Sequence, residues 1–432
     1  MKILMVTANF APRGASPAIR TVNLVKYLTA SGFVVKVITY DEKTLTLFSP
    51  PDPILISKVP AGVEVVRVHP GPLRKYLSKR MRHEERSLSE WKESINRSLM
   101  ISLLIPDPHV DAMVNFFIHG VRQIKDFVPD IMLTHGYPFS MHIVGSLLKR
   151  RYPHIRWIAD YGDPWSGNPV SELPRPRWRQ WLDYRLEETM LKVVDWVTVT
   201  TEATKQLYEI HFPFLVGRIS VIPMGFDHEE IKAVTPFPRP PGEESRIWFV
   251  YTGRLYPEAR DPKSFIQAVA TLIQKDPSVV NRLRVFLVGE VHPTIKRLIC
   301  GAQARYVFRF VKWGSVAESI AWMKTADYLL LFGNKGGIQV PGKVYQYIGT
   351  GKPIFMTVEV EKDPTVKVVL SNPLSIIIKN ESSQILARLI SILYHGRAVA
   401  PRPVQSEIEN SPYVWVKIAH EFVKLAKDLV DA

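Results

Sequence analysis

The chain has 432 residues, of which 46% are hydrophobic, and its 56 lysines and arginines against 41 acidic residues give a net charge of +15. This length is too great for one hydrophobic core and predicts two domains. The positive charge indicates an anionic partner, whether nucleic acid, anionic lipid or a phosphorylated substrate. The single cysteine, Cys300, excludes a disulfide framework and a cysteine-based zinc site.

The hydropathy pattern predicts neither export nor membrane insertion. The first seven residues are too short and too polar at their flanks for a signal peptide. No stretch reaches the roughly 20 apolar residues needed to span a bilayer. We therefore expect a cytoplasmic protein, with peripheral contact at the inner face of the membrane as a further hypothesis.

Strand and helix patterns alternate through the first half of the chain. Strands are predicted at 2–8, 34–40, 63–68, 131–134, 155–159, 196–201 and 219–223. Helices are predicted around 22–27, over 111–127 and up to about 194. In the loop 9–16, Ser16 is the expected N-cap and Pro17 the first helical residue. Basic stretches with interleaved apolar or tryptophan residues, at 73–82 and 175–181, indicate either a membrane-facing surface, a nucleic-acid patch or a solvated helix face.

The second half repeats the alternation. Strands are predicted at 247–252, 285–288, 307–311, 328–332, 354–358 and 375–378, which implies a parallel sheet covered on both faces. We predict an α/β protein with two Rossmann-like, doubly wound domains. The first domain spans 1–224 and the second spans 246–411, with residues 225–245 as the linker between them. The amphipathic helix in 412–432 returns to the first domain.

The stretch around Lys343 predicts a helix between two strands, with an anion at its beginning. Pro341 suits the first helical position, and the amides of Gly342 and Lys343 would then face an anion. Lys343 and Gln346 share one helix face with Tyr347 and Thr350, which suits a diphosphate with a ribose one turn along. An ordinary helix crossover with a glycine C-cap explains the same spacing.

Two polar groups follow neighbouring predicted strands, where ligands of open α/β sheets bind. His135 ends one strand, and the segment Asp160–Trp165 ends the next. Asp163 could orient a hydroxyl of an acceptor or of a donor sugar, or it could only cap the following helix. His135 could act as an acid or base, or could be a hydrogen-bonded structural residue.

These motifs resemble those of glycosyltransferase family 4, retaining enzymes of the GT-B architecture. The stretch that contains Pro341, Lys343, Gln346 and Tyr347 is similar to the family's P-x-K-x-x-E-Y segment. Gln346 replaces the family's ribose-binding glutamate, and no acid stands near Ile338, where the family has an earlier one. The turn Gly253–Arg254–Leu255 resembles the family's G-R-L segment, and the Asp-x-x-Asp-Pro-Trp segment resembles one from a bacterial branch.

The resemblance implies roles for particular residues. Arg254, with Arg260 or Lys263, would stabilise the leaving diphosphate, and Gly289 would lie in a second turn near the nucleotide. The loop with Gly14, Ala15 and Ser16, followed by Arg20, would face the acceptor, with Asp163 or His135 placing its hydroxyl. The implied donor is a UDP-, GDP- or dTDP-sugar, and the acceptor a glycan or lipid-linked molecule in cell-surface polysaccharide or glycoconjugate synthesis. We expect no metal, no other cofactor and no nucleic-acid partner.

Other functions are open from the sequence alone. A nucleotide-sugar epimerase or a phosphorylase could use the same fold, and a phosphorylase would carry a lysine-bound pyridoxal cofactor. A basic nucleic-acid-binding protein would explain the charge, and its binding would depend steeply on salt. A degenerate transferase that only binds the nucleotide would explain Gln346.

Overall fold

The computed structural model describes residues 1–46, 51–71, 104–168, 176–257, 260–312, 314–360, 362–394 and 405–431. The contacts divide the chain into two compact units. The N-terminal unit comprises Met1–Pro223 together with Trp415–Ala432, and the C-terminal unit comprises Met224–Val414. Residues 225–245, predicted as a linker, thus belong to the C-terminal unit.

The N-terminal unit contains a seven-stranded sheet in the order β3-β2-β1-β4-β5-β6-β7, and every neighbouring pair is parallel. Its strands are β1 (Lys2–Thr7), β2 (Val34–Tyr40), β3 (Glu64–Val68), β4 (Ile131–Gly136), β5 (Arg156–Tyr161), β6 (Trp196–Val199) and β7 (Ile219–Val221). The order reverses between β1 and β4, which is the switch point where ligands of doubly wound sheets bind.

Helices cover both faces of this sheet. They are α1 (Ser16–Ala30), α2 (Glu42–Leu45), α3 (Pro53–Ser57), α4 (Met113–Phe127), α5 (Ser140–Arg151), α6 (Arg177–Leu191) and α7 (Glu202–His211). The helices α4, α5 and α6 pack side by side on one face. On the opposite face α1 packs against the last helix of the chain (Trp415–Asp431).

The alternation of side chains along β1 explains why both faces are covered. Leu4 and Val6 are fully buried in a core with residues of α4 and α5 such as Phe116 and Val144. The intervening Ile3 and Met5 are also fully buried, and successive strand residues point to opposite faces. Such two-sided burial produces the continuous apolar runs that the sequence shows.

The C-terminal unit contains a six-stranded parallel sheet in the order β10-β9-β8-β11-β12-β13. Its strands are β8 (Ile247–Thr252), β9 (Leu283–Val288), β10 (Phe308–Val311), β11 (Tyr328–Phe332), β12 (Ile354–Val358) and β13 (Ile376–Lys379). Its helices are α8 (His228–Ala233), α9 (Lys263–Lys275), α10 (Pro293–Cys300), α11 (Val316–Thr325), α12 (Lys343–Gly349), α13 (Pro364–Val369), α14 (Ser382–Tyr394) and α15 (Gln405–Glu409). The helix Trp415–Asp431 is α16.

These two sheets confirm the predicted fold class, and all thirteen predicted strands are present in the described residues. Some helix ends differ from the prediction. Ser16 is the first residue of α1, and Ala15 is its N-cap without a side-chain hydrogen bond. Helix α12 begins at Lys343 with Gly342 as N-cap, so Pro341 lies before the helix. Helix α6 begins at Arg177, so Trp178 and Trp181 lie on the helix and do not precede it.

Two predicted features fall on residues that the structure does not describe. The basic stretch 73–82 lies outside the described residues, as does residue 175 at the start of the second basic stretch, 175–181. Within the described ranges, no helix is both long and apolar enough to cross a membrane.

Candidate functional site

The carboxyl edge of the N-terminal sheet contains a buried polar network centred on Asp160. Arg20 donates to both carboxylate oxygens of Asp160, with Nη2–Oδ1 at 2.6 Å and Nε–Oδ2 at 2.9 Å. Thr198 Oγ1 donates to Oδ1 at 2.6 Å, and His135 Nδ1 lies 2.7 Å from Oδ2. Burial raises the pKa of Asp160, but the Arg20 charge and the hydrogen bonds from Arg20 and His135 outweigh it and hold that pKa far below its usual value. Asp160 is therefore ionised.

An ionised Asp160 fixes the tautomer of His135. A carboxylate can only accept hydrogen bonds, so the proton must be on His135 Nδ1. In the neutral ring Nε2 is then the acceptor. The neighbouring His142 is fully buried and bonded to Thr134, and burial, with the nearby His135, lowers the pKa of His142 to about 3. Of these two histidines, only His135 touches the Asp160 carboxylate.

Arg20 was predicted on the acceptor side of the site, and it lies in this network rather than in solvent. Its side chain is 1% exposed. Its guanidinium also donates to the carbonyl oxygens of Ile222 at 3.0 Å and Pro223 at 2.9 Å. Arg20 therefore links α1 to β5 and to the two residues that directly follow β7.

Asp163 is exposed, but it lies in a loop whose backbone is held by buried side chains. Glu187 of α6 accepts from the Ser166 amide at 2.8 Å and from the Tyr208 hydroxyl at 2.6 Å. The Tyr208 hydroxyl in turn accepts from the Trp165 amide at 3.0 Å. The Trp165 ring stacks on Phe139, with the ring centres 5.2 Å apart. Asp163 is thus an exposed residue on a firmly held turn, whereas Asp160 is the buried member of the motif.

The loop after β1 contains the remaining acceptor-side residues. Gly14 and Ala15 are half-buried, and Ser16 is exposed. Arg13 donates to the Asn9 side chain at 2.7 Å, and Asn9 donates to the Tyr137 carbonyl oxygen at 2.7 Å. These bonds tie the loop after β1 to the segment after β4, at the switch point of the sheet.

The carboxyl edge of the C-terminal sheet brings together the predicted phosphate-binding residues. The turns after β8 and β9 contain Gly253 and Gly289, with φ of 101° and 132°, a region that favours glycine. The Leu255 amide donates to the Glu290 carbonyl oxygen at 2.8 Å, which joins the two turns. The Tyr251 hydroxyl donates to the Arg254 carbonyl oxygen at 2.7 Å and fixes the start of the first turn.

Lys343 and Arg260 form the cationic centre of this edge. The Lys343 ammonium lies 3.3 Å from the Tyr251 ring centre and donates to the Thr252 carbonyl oxygen at 2.7 Å. Burial, with the nearby charge of Arg260, lowers the pKa of Lys343 well below its usual value. Arg260 Nε donates to the Asn334 side chain at 3.0 Å. A diphosphate would relieve the repulsion between these two cations.

The other two predicted cations differ in their surroundings. Arg254 is 67% exposed, and its Nε lies 3.4 Å from Glu290, so its guanidinium is at the surface of the same turn. Lys263 is exposed and begins α9, and its amide donates to Asp261 at 3.0 Å. Arg260 is near enough to Lys343 for its charge to lower the pKa of Lys343. Of the two candidates for the second basic position, the structure therefore places Arg260 beside Lys343.

The start of α12 completes the C-terminal candidate site. Pro341, Gly342 and Gln346 are half-buried. Tyr347 is fully buried and accepts from the Thr252 amide at 2.9 Å. Burial raises the pKa of Tyr347 well above its usual value, so the ring stays neutral. Tyr347 thus holds the end of β8 against α12, and this places the Gly253 turn next to Lys343.

Several residues of the two candidate sites were not predicted from the sequence. Asp160, Thr198, Asn334 and Glu187 are polar residues that are at most 1% exposed. For Asp160 a signal existed, because a carboxylate inside an otherwise apolar strand pattern requires a buried partner. For Asn334 and Glu187 the sequence offered no signal, since their partners are backbone groups and side chains distant in the chain.

Comparison with known proteins identifies the fold. Residues 17–225 match the family model described as Glycosyl transferase 4-like domain. Comparison with curated protein sequences gave no significant match. The structure of Anabaena Alr3699/HepE in complex with UDP is similar, with a TM-score of 0.65, 12% identity and coverage of 99% of this chain and 100% of that one.

Two further structures show the same architecture. Sucrose-phosphate synthase from Thermosynechococcus elongatus has a TM-score of 0.63 at 15% identity, with both chains covered in full. A glycosyltransferase from Rickettsia africae has a TM-score of 0.62 at 13% identity, with 99% of this chain and 98% of that one covered. The chain has the two-domain, Rossmann-like GT-B fold.

Proposed function

We propose that this protein is a retaining glycosyltransferase that moves a sugar from a nucleotide-sugar donor to an acceptor hydroxyl. The observation that carries the proposal is the group of Lys343, Arg260 and Arg254 at the carboxyl edge of the C-terminal sheet. The match of residues 17–225 to a glycosyl transferase 4-like domain supports it. A second similar structure, that of Anabaena Alr3699/HepE in complex with UDP-glucose, supports a nucleoside diphosphate sugar as the donor.

In the proposed reaction the cations act on the leaving diphosphate. As the bond between the sugar and the phosphate breaks, negative charge grows on the diphosphate, and fixed cations stabilise that state more than the bound donor. Arg260 and Arg254 stay charged throughout, and each can bind two phosphate oxygens. Burial and Arg260 lower the pKa of Lys343, and a bound diphosphate would raise it again and favour the charged form.

The N-terminal unit would hold the acceptor. His135 and Asp163 would place the acceptor hydroxyl, and Gly14, Ala15 and Ser16 would line its approach. His135, whose Nδ1 proton is fixed by Asp160, offers Nε2 as an acceptor to a hydroxyl. Gln346 can accept a bond from a ribose hydroxyl and donate one, but unlike the glutamate of family 4 it brings no charge.

A panel of nucleotides tests the proposal. The change in melting temperature is measured with UDP, GDP, dTDP and ADP, and a ligand at 100 times its dissociation constant stabilises a protein by about 2.7 kcal/mol. We expect one of these nucleotides to stabilise the protein clearly more than the others. Both Arg260→Gln and Arg254→Ala should abolish the shift while the free protein remains folded.

The matched control is Arg297→Gln, which removes an exposed charge from α10 of the same unit. This variant should retain the full shift. If no nucleotide stabilises the protein, or if Arg260→Gln and Arg297→Gln behave alike, the proposed donor site is wrong.

The finer features of the reaction belong to the same proposal. We propose hexosyl transfer without a divalent cation, to a glycan or lipid-linked acceptor in cell-surface polysaccharide or glycoconjugate synthesis. The protein would act in the cytoplasm, at the inner face of the membrane. Turnover that survives a chelator supports the metal-free mechanism, and turnover that requires magnesium contradicts it.

A further inference from the structure

The outer surface of α4, α5 and α6 combines exposed apolar side chains with exposed cations. We name it the α4–α6 face. Its exposed apolar side chains are Val114, Ile118, Leu147, Trp178 and Trp181, which are 44–64% exposed. Its exposed cations are Arg122, Lys125, Arg150, Arg151, Arg177 and Arg185. On these three helices, all described in full, Asp126 is the one exposed acid.

Four of the five apolar side chains of this face lie at the starts of α4 and α6. Each helix leads into the next parallel strand, so its last turn lies near the amino edge of the sheet and its first turn near the carboxyl edge. Val114 and Ile118 begin α4, and Trp178 and Trp181 begin α6. Lys125, Arg150 and Arg151 lie in the last turns of α4 and α5, whereas Arg177 begins α6 next to Trp178. The four apolar side chains at the starts of α4 and α6 therefore lie toward the edge that contains His135 and Asp163.

We infer that the α4–α6 face docks on a bilayer that contains anionic lipid. Tryptophan and aliphatic side chains gain free energy at the boundary between headgroups and acyl chains, and arginine or lysine beside them contacts lipid phosphates. A nucleic acid would use the cations but would leave Val114, Ile118 and Leu147 without a partner. The charge of the face and its aliphatic residues together thus favour a membrane.

Docking through this face would place the acceptor edge of the N-terminal unit close to lipid. The docking itself does not depend on enzymatic activity. That the acceptor is held in the membrane rests on the proposed function, since only then do His135 and Asp163 meet an acceptor hydroxyl.

Vesicle co-sedimentation of the full chain tests the docking surface. The probes are vesicles of phosphatidylcholine alone and of phosphatidylcholine with an equal part of phosphatidylglycerol. We expect binding to the anionic vesicles alone, and weaker binding as salt rises. Arg150→Gln with Arg151→Gln should weaken binding about 25-fold, because each cation near the surface contributes about fivefold. Trp178→Ser with Trp181→Ser should also weaken it, and in the parent protein lipid should shift tryptophan fluorescence to the blue.

The control is Lys424→Gln with Lys427→Gln, which removes two exposed cations from α16 on the opposite face of the same unit. Binding should change less than twofold, and far-UV circular dichroism should show that every variant is folded.

Equal weakening by the control pair, no binding to anionic vesicles, or equal binding to both kinds of vesicle would overturn the inference. If the chain binds duplex DNA more tightly than the anionic vesicles, and the Arg150 and Arg151 variant weakens that binding, the face binds nucleic acid and the inference of a membrane is wrong. Loss of the nucleotide-induced melting shift would overturn the donor site and leave this surface intact.

Discussion

At the scale of single residues, the ion pair of Arg20 and Asp160 shows how the N-terminal site is built. Both side chains are almost completely buried, and the carboxylate also binds Thr198 and His135. Bringing two charges out of water is costly, so such a pair is tolerated only where its hydrogen bonds are complete. Asp160 also binds His135, at the edge where the proposed acceptor would bind. We therefore expect the pair to position this histidine as well as to stabilise the fold.

This pair should behave as a unit in a double-mutant cycle. Asp160→Asn and Arg20→Gln should each lower the free energy of unfolding by about 3–5 kcal/mol, because each leaves a buried charge without its partner. The double variant should lose clearly less than the sum of the two losses, since neither charge then remains. Urea denaturation measures all three free energies. Additive losses would show that the two residues stabilise the chain independently.

At the scale of elements, Glu187 connects α6 to the loop after β5, and its ionisation should be visible in the stability of the protein. Burial raises the pKa of Glu187 from 4.5 to about 7, although the bonds from Ser166 and Tyr208 oppose the shift. Between these two pH values the folded state binds more protons than the unfolded state. Stability from this group is therefore complete below about pH 4.5 and is lost as the pH rises to about 7.

The loss over this interval is roughly 3 kcal/mol, from the free-energy equivalent of a pKa shift. Glu187→Gln keeps the shape and cannot ionise. We expect the unfolding free energy of the parent protein to fall relative to that of Glu187→Gln as the pH rises from 4.5 to 7. Subtracting the two curves removes the effects of other carboxylates, such as the buried Asp107. Two parallel curves would show that Glu187 stays ionised in the folded protein.

The sequence predicted the strands well, because strands that are buried on both faces produce continuous apolar runs. It predicted the helix starts less well. Ser16 looked like an N-cap, but capping depends on the backbone conformation of the residue, and Ala15 has the extended conformation there. Similarly, Pro341 suits a first helical position, yet the chain turns into α12 only at Lys343.

The candidate sites were predicted in outline and not in detail. The G-R-L turn and the segment around Lys343 indicated cations at one sheet edge, and the structure brings Arg260 and Lys343 together there. In the N-terminal unit the motif indicated Asp163, but it could not reveal that Asp160 pairs with Arg20, 140 residues earlier. Long-range pairing of this kind leaves no periodic pattern in the sequence.

At the scale of the whole molecule, α16 joins the end of the chain to the N-terminal unit. Its buried side includes Trp415, Ile418 and Phe422, and the helix packs against α1. Phe422→Ala should lower the stability of the N-terminal unit by about 3–5 kcal/mol, because a fully buried aromatic ring is lost and a cavity is left. Hydrogen exchange should show faster exchange of the amides of α1 and β1.

Val416→Ala is the control, since Val416 lies on the same helix and is 61% exposed. It should leave the exchange rates almost unchanged. If Phe422→Ala accelerates exchange in β8 and β9 as much as in β1, then α16 stabilises the chain as a whole and not the N-terminal unit in particular.

The position of α16 also has a consequence for biosynthesis. A ribosome makes residues 1–223 before the C-terminal unit, but α16, which covers α1, emerges only after that entire unit. Until then, the apolar surface of α1 that α16 will cover is open to water and to chaperones. The N-terminal unit is therefore begun before the C-terminal unit and completed after it, and premature termination within the C-terminal unit yields a nascent chain with an incomplete core.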